Sequence, residues 1–502
     1  MKLPTVCLLI GLLLANTLSA AREFTVLTYN VENLFDLDGI SQYDDYAQTA
    51  KGAARAPWNA ARLYSKVTNI APVLKRFNKG HGPEVVVFQE FERDQSPQST
   101  ITDWAAFEKD YGSQKLETLM DENHWAAISS WPAEAYLYKA LHEAGITGYT
   151  VARPAFTPED GKKAPHKNVV FSKFPVTAVK QHPIRDARDI LEVHLSVDGQ
   201  ELVIMDNHWK SGASDVKTEV TRVANAKVLR DRVAELLKAN PALPILLAGD
   251  FNSHYDQRLL VPEAKETGID NTLQAGSDEP TLHREQGYHL YNLWYELPAA
   301  KRRSDVYKGR WGTLMQMIIT PGLCDGKGVD YVDNSFFVAV FPGLNAEPIW
   351  NTPISWQQFG KGFGCSDHLP IGAKFVVYAE GQGTTKTFTQ TTATPEPASV
   401  AVVDYSILNK RKVPSANELK NQSDDELGRS FGQVFLIDAP LASTRPLAVR
   451  YGERTFELYS YLPEVLNQLK QIPEGKRIRC YGMLEEYKGR VQFMVCSGDW
   501  LK

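Results

Sequence analysis

Short, continuous apolar runs punctuate the N-terminal part of the chain. They occupy residues 24–29, 85–88, 169–171, 202–205, 245–248 and 317–319. Runs of this length predict strands buried on both faces, because a half-solvated strand alternates apolar and polar residues. Residues 189–197 and 201–206 flank Asp198-Gly199, which predicts a tight hairpin. Helical periodicity covers residues 58–77 and 216–239. Strands, hairpins and helices mixed in this order predict a layered α/β sandwich. Residues 94–149 fit either a substrate-side insertion or an ordinary surface excursion.

The pattern changes after Tyr378. Residues 381–399 are rich in Thr, Gly, Pro and Ser and lack apolar periodicity, so 380–400 reads as a linker. It separates a large domain at 22–379 from a small one at 401–502. In the small domain, residues 433–438, 447–449 and 455–459 predict strands and 463–471 a short helix. Residues 477–485 and 490–496 then predict a hairpin. At the N-terminus, Lys2, an apolar stretch over 6–14 and Ser19-Ala20-Ala21 predict a signal peptide over 1–21, hence export to a periplasm or the exterior. Four cysteines follow it. An exported chain permits disulfides, and pairing within domains favours Cys324–Cys365 and Cys480–Cys496. Formal net charge is −5, so no global basic character advertises nucleic acid. The small domain carries 15 Lys and Arg against 13 Asp and Glu, a faint local excess.

Polar residues recur where the apolar runs end. These are Asn30-Val31-Glu32-Asn33, Gln89-Glu90, Asp206-Asn207-His208-Trp209-Lys210, Gly249-Asp250-Phe251-Asn252 and Ser366-Asp367-His368. A rigid sheet aims residues placed at its strand ends, which suits catalysis. Each segment alone reads as a cap or turn. Together, their carboxylates, carboxamides and two histidines suit a hard divalent cation, Mg²⁺, Mn²⁺ or Ca²⁺, rather than thiolate-bound zinc.

In this set and order the segments resemble the endonuclease/exonuclease/phosphatase superfamily, which includes DNase I-like nucleases. Thr28-Tyr29-Asn30-Val31-Glu32 is similar to its first motif and Phe88-Gln89-Glu90 to its second. Asn207-His208-Trp209-Lys210-Ser211 resembles the His motif of bacterial secreted nucleases. The resemblance spans roughly residues 24–377. It implies a four-layer DNase I-like sandwich with two central β-sheets and metal-dependent phosphoester hydrolysis. It implies Asn30, Glu32, Glu90 and Asp367 around the metal, and His208, Asp250, Asn252 and His368 as catalytic residues. Arg188 and Lys210 are candidates for contact with substrate phosphate, against a surface or turn role. The small domain resembles an OB-fold barrel, a frequent binder of single-stranded nucleic acid.

One position departs from the family. A carboxylate usually precedes a late strand and orients the final His. Here that place holds Met315, which accepts hydrogen bonds poorly. Gln316, Asp325 or Asp330 are the substitutes the sequence offers. Trp104, Trp125 and Trp131 fit either stacking on bases or core packing. The expected activity is an exported metal-dependent nuclease acting on DNA or RNA, with no stable membrane partner. The alternatives are hydrolysis of a lipid headgroup or small phosphoester, and nucleic-acid binding by an impaired site.

Overall fold

A computed structural model describes residues 21–40, 58–95, 101–121, 128–155, 165–356, 364–379, 381–383, 402–406, 408, 412–487 and 490–502. The expected signal peptide and linker fall almost wholly outside the described residues, as does Trp125. The first sheet holds β1 (Arg22–Leu34), β2 (Val85–Glu92), β3 (Thr150–Ala152), β4 (His166–Ser172), β14 (Val329–Tyr331), β15 (Phe337–Val338) and β16 (Ile371–Val377). The second holds β5 (Val176–His182), β6 (Arg188–Val197), β7 (Gln200–His208), β8 (Ile245–Asp250), β9 (Ala275–Gly276), β10 (Leu290–Asn292) and β13 (Met315–Ile319). Each sheet has a parallel pair at its centre, β1 with β2 and β7 with β8, flanked by antiparallel strands.

The two-residue period of the strands builds the layers. Phe24, Val26, Val85 and Val87 face Leu202, Ile204, Leu246 and Met317 in one core between the sheets. Their neighbours Leu27, Tyr29, Val86 and Phe88 face the other way, into helices Ala60–Leu74 and Ala133–Glu143. On the far side, Val203, Met205, Ile245 and Leu247 meet helix Val216–Ala239. The result is the expected four-layer α/β/β/α sandwich, with a fully buried aliphatic side chain contributing about 1.5–3 kcal/mol. Both sheet faces are covered, which is why the strands read as continuous apolar runs. Among the described residues, no helix is long and apolar enough to cross a membrane.

Three expectations change here. The described part of 94–149 is neither a substrate-side insertion nor an ordinary surface excursion, because its helices Trp104–Tyr111 and Ala133–Glu143 cover the first sheet. Trp104 and Trp131 are buried in that layer, with ring centroids 4.9 Å from Tyr138 and 4.8 Å from Phe107 respectively. They are core residues and offer no face to a base. The disulfides Cys324–Cys365 and Cys480–Cys496 do not form; all four cysteines are buried thiols. Cys324 lies between the sheets and Cys365 in the outer layer, so a sheet separates them. Cys480 on the barrel stands opposite Leu501 instead of Cys496.

The small domain is a closed barrel of β17 (Val434–Thr444), β18 (Leu447–Tyr451), β19 (Arg454–Tyr459), β20 (Arg477–Tyr487) and β21 (Arg490–Met494). Helix Pro463–Lys470 lies between its third and fourth strands. The barrel shares a core with the sandwich. Trp500 and Tyr405 pack with Trp350, at centroid distances of 5.8 and 5.1 Å, and the same cluster takes in Trp311 and Leu369. The Val403 N–H donates to Gly309 O at 2.7 Å, beside the small hairpin of β11 (Asp305–Tyr307) and β12 (Arg310–Gly312).

Candidate active site

The C-terminal ends of the four central strands meet at one edge of the sandwich. Asn30 ends the regular part of β1, and its Nδ2 donates to Glu90 Oε1 and to Asp250 Oδ2, both at 3.0 Å. One amide therefore ties β1 to β2 and to β8 of the other sheet. Glu90 sits at a register shift in β2, with φ 69°. The bulge turns its carboxylate into the site, and Asn33 N–H holds Oε2 at 2.8 Å. Asp250 follows Gly249, whose φ of 127° brings its Cα against the Asn207 carbonyl; a Cβ there would lie 2.1 Å from that oxygen. Only glycine allows β8 so close to β7 at this point.

Two imidazoles flank the carboxylates. Nε2 of His208 lies 3.8 Å from Glu90 Oε1 and 3.7 Å from Asp250 Oδ2. Nε2 of His368 lies 3.7 Å from Asp250 Oδ2 and 3.7 Å from Asp367 Oδ1. Their electrostatics differ in sign. Burial, then the Arg188 guanidinium opposite it in the β6–β7 ladder, hold His208 well below its usual value and hence neutral. Burial also opposes charge on His368, but Asp367, Asp250, Asp305 and Glu90 outweigh it and raise its pKa to about 9. Burial lifts Asp250 to about 6, against His368, the Asn252 N–H and Asn30. Burial resists charge on Glu90 as well, yet His166, His208, Arg188 and Asn30 hold it far below the carboxylate range.

The other expected residues distribute unevenly. Asn252, at φ 46°, donates its N–H to Asp250 Oδ1 at 2.8 Å and its Nδ2 to Trp209 O at 3.2 Å. Ser366 Oγ donates to Asn30 O at 2.7 Å, which pins the Asp367-His368 loop to β1. Asp367 stands exposed at the mouth. Glu32 turns aside: its carboxylate accepts from Ser355 Oγ and Trp356 N–H. Burial and Asp367 lift it to about 7 against these bonds and Lys66. Lys210 is held through its main chain, N–H to Asn225 and carbonyl to Arg222.

Among the described residues no carboxylate takes the orienting role by a hydrogen bond, since His368 Nδ1 is buried without a partner; what reaches the ring is charge. Met315 pairs with Asp250 across the β8–β13 ladder and is buried in the inter-sheet core. Gln316 is consumed by Asn292, Ser253 and Thr313. Neither it, Asp325 nor Asp330 is among the groups acting on His368. Asp305 is. It faces His368 across an antiparallel bridge, and Ser304 Oγ and Leu314 N–H donate to its Oδ1 at 2.8 and 3.0 Å. Gly312 leaves room for it, since a Cβ there would lie 2.0 Å from Oδ2. His166 is a further residue of the site that the motifs do not include. That ring stacks on His208 at 6.4 Å and meets Arg188 Nη2 through Nδ1 at 3.2 Å. Only its place two residues before Asn168, at the start of a buried strand, hinted at it.

Glu90, His208 and Asp250 each offer a ligand atom within 4.8 Å of the others, a set that fits a divalent cation. A small cleft of about 30 Å³ opens on the His166 and Arg188 side of the site, lined also by Arg93, Lys167, Asn168 and Gln181, with Asp94 and Asp189.

A family model described as Endonuclease/Exonuclease/phosphatase family matches residues 25–114 and 164–373, more than half of the chain. The chain belongs to that family. Members of the endonuclease/exonuclease/phosphatase family hydrolyse phosphoester bonds and are typically dependent on a divalent metal. The barrel lies beyond the matched residues. Among solved structures, the chain is similar to truncated TDP2 from Caenorhabditis elegans at 12% identity and TM-score 0.36, covering 71% of this chain and 98% of that one. It is similar to a family protein from Bacteroides thetaiotaomicron at 13% and 0.35, covering 72% and 99%. It is also similar to ANGEL2, a 2',3'-cyclic phosphatase, at 15% and 0.39, covering 72% and 96%. No curated protein matches the chain.

Proposed function

We propose that this protein is an exported phosphodiesterase that cleaves nucleic acid with the help of a divalent cation. The observation that carries the reading is the cleft on the His166 and Arg188 side of the site. Its Arg93, Arg188, His166 and amide groups suit the phosphates and base edges that flank a scissile bond, while Lys167 is taken by Asp94 and Glu134. The N-terminal pattern over residues 1–21 supports export. The barrel, with its helix between the third and fourth strands, supports an OB-type module for the substrate strand.

Glu90 would hold Mg²⁺, or Mn²⁺ or Ca²⁺ in its place, with Asp250 and His208 beside it. Such an ion supplies Lewis acidity to a phosphoryl oxygen. The residues supply the rest. Protonated His368 donates to a non-bridging phosphate oxygen and stabilises the charge that grows there. Asp250, near neutrality at about 6, accepts the proton of the attacking water. Asn30 and Asn252 fix its two oxygens. Neutral His208 would hold the phosphate from the other side, and Arg188 and Lys210 would meet neighbouring phosphates.

The test is plasmid DNA with the mature protein, in Mg²⁺ or in EDTA, beside His368→Ala. EDTA-sensitive cleavage absent from the variant supports the proposal. No cleavage by a folded, metal-binding protein moves the activity to lipid or small phosphoesters.

A further inference from the structure

Lys66 differs from the other buried lysines of the sandwich. Lys139 and Lys167 pair with carboxylates. Lys66, in the middle of helix Ala60–Leu74 and fully buried, gives its protons to main-chain carbonyls. Its Nζ donates to Glu32 O at 2.5 Å and to Cys365 O at 3.2 Å, and stands 5.1 Å from the centre of the Trp356 ring. Taking an ammonium out of water is costly. Here that cost is borne at a place where two distant segments meet.

Each carbonyl belongs to a segment that carries the site. Glu32 and Asn33 are both left-handed, with φ of 53° and 59°, a conformation uncommon outside glycine. This turn lets the Asn33 N–H hold Glu90 Oε2 at 2.8 Å. Cys365 precedes Ser366, whose Oγ takes the His368 N–H at 3.1 Å. The helix fastens the second segment again one turn on. Asn69 Nδ2 donates to Gly364 O at 2.8 Å, and Asn69 O accepts from Cys365 Sγ at 3.3 Å.

We propose that Lys66 is a positioning residue of the site: one ammonium clamps the bulge of β1 that holds Glu90 to the loop that presents Asp367 and His368. The role presupposes that these residues form the hydrolytic centre. Charge alone would work in the opposite direction. Lys66 acts electrostatically on Glu32, Asp367 and Glu90, and a positive charge beside acids opposes the arrival of a second cation. Removing a mere neighbouring charge would tighten metal binding. Removing the clamp loosens it.

The experiment uses the full chain with Lys66→Met, which keeps an unbranched apolar stem and removes the donors. In metal-free protein, amide hydrogen exchange is expected to speed up over residues 30–34 and 364–368. Mn²⁺ binding, followed by calorimetry, is expected to weaken about tenfold, the usual cost of losing a group that orients metal ligands. On plasmid DNA, kcat is expected to fall by a similar factor with KM unchanged. Asn69→Ala is expected to speed exchange over 364–368 alone. If Lys66→Met does not fold, Lys66→Gln takes its place. Unchanged exchange in both segments of a folded variant, or Mn²⁺ binding that is unchanged or tighter, overturns the proposal. A wild-type chain that hydrolyses no phosphoester sinks the hydrolytic reading instead, while exchange still decides the clamp.

Discussion

Asp305 allows the charge state of His368 to be tested without disturbing a metal ligand. Its Oδ1 accepts from Ser304 Oγ and Leu314 N–H. The amide oxygen of Asp305→Asn keeps both bonds, so the substitution removes a charge and little else. Raising an imidazole from 6.5 to about 9 is worth roughly 3 kcal/mol in favour of its charged form. Asp305 is the third of four carboxylates that produce the rise. Removing its share lowers the midpoint by about half to one pH unit, or roughly 1 kcal/mol. A folded-state pKa above the unfolded value gives stability that is complete below the unfolded pKa, 6.5, and is lost as pH rises through about 9. The variant is therefore expected to lose roughly 1 kcal/mol more at pH ~6 than at pH ~10. The measurement is an NMR titration of His368 in metal-free protein, with urea unfolding at both pH values. An unmoved midpoint in a folded variant, or the same loss of stability at both pH values, refutes the assignment of Asp305.

Glu90→Ala is expected to abolish Mg²⁺-dependent turnover with an unchanged circular dichroism spectrum; retained activity would remove Glu90 from the metal. Gly249→Ala drives a Cβ to 2.1 Å from the Asn207 carbonyl, so a loss of about 3 kcal/mol is expected from chemical denaturation. Trp500→Ala empties a fully buried indole from the core shared by barrel and sandwich. Its expected cost is about 3–5 kcal/mol, and activity should fall with it because Leu369, next to His368, belongs to the same core. For the same reason, deleting 401–502 is expected to lower Tm as well as weaken substrate binding; a truncated chain with the parental Tm would show the barrel to be dispensable.

The central strands were legible because burial on both faces leaves mostly apolar residues in them, with Thr25 and Thr28 the exceptions in the first. Their ends were less so. β1 runs on to Leu34 because Asn30 pairs with Gln89 and Leu34 with Phe91 on either side of a bulge, and the polar residues of that bulge look like loop residues in sequence. β3, β9, β14 and β15 are two or three residues long, too short to show a period. At the site, the strand-end motifs named Asn30, Glu90, His208, Asp250 and His368, which do converge. The partners that set their charges were hidden. Asp305 reaches His368 through a bridge between segments 63 positions apart, and nothing local marks either end of it. Glu32 fits its motif, yet Ser355 and Trp356 claim its carboxylate. The disulfide expectation failed because exported chains permit such bonds without requiring them, and here a large core leaves the cysteines as ordinary apolar fillers.

Those four thiols have a practical consequence. Burial pushes Cys365 and Cys480 up to about 12 and raises Cys496 well above its usual value, so these three carry almost no thiolate in the native state. Thiolate is the reactive form. Among the described residues reductants have no disulfide to cleave, and alkylating reagents reach these buried thiols only when the chain opens. Labelling rate then becomes a clock for local opening, read separately from Cys324 between the sheets, Cys365 under the His368 loop, and Cys480 and Cys496 inside the barrel.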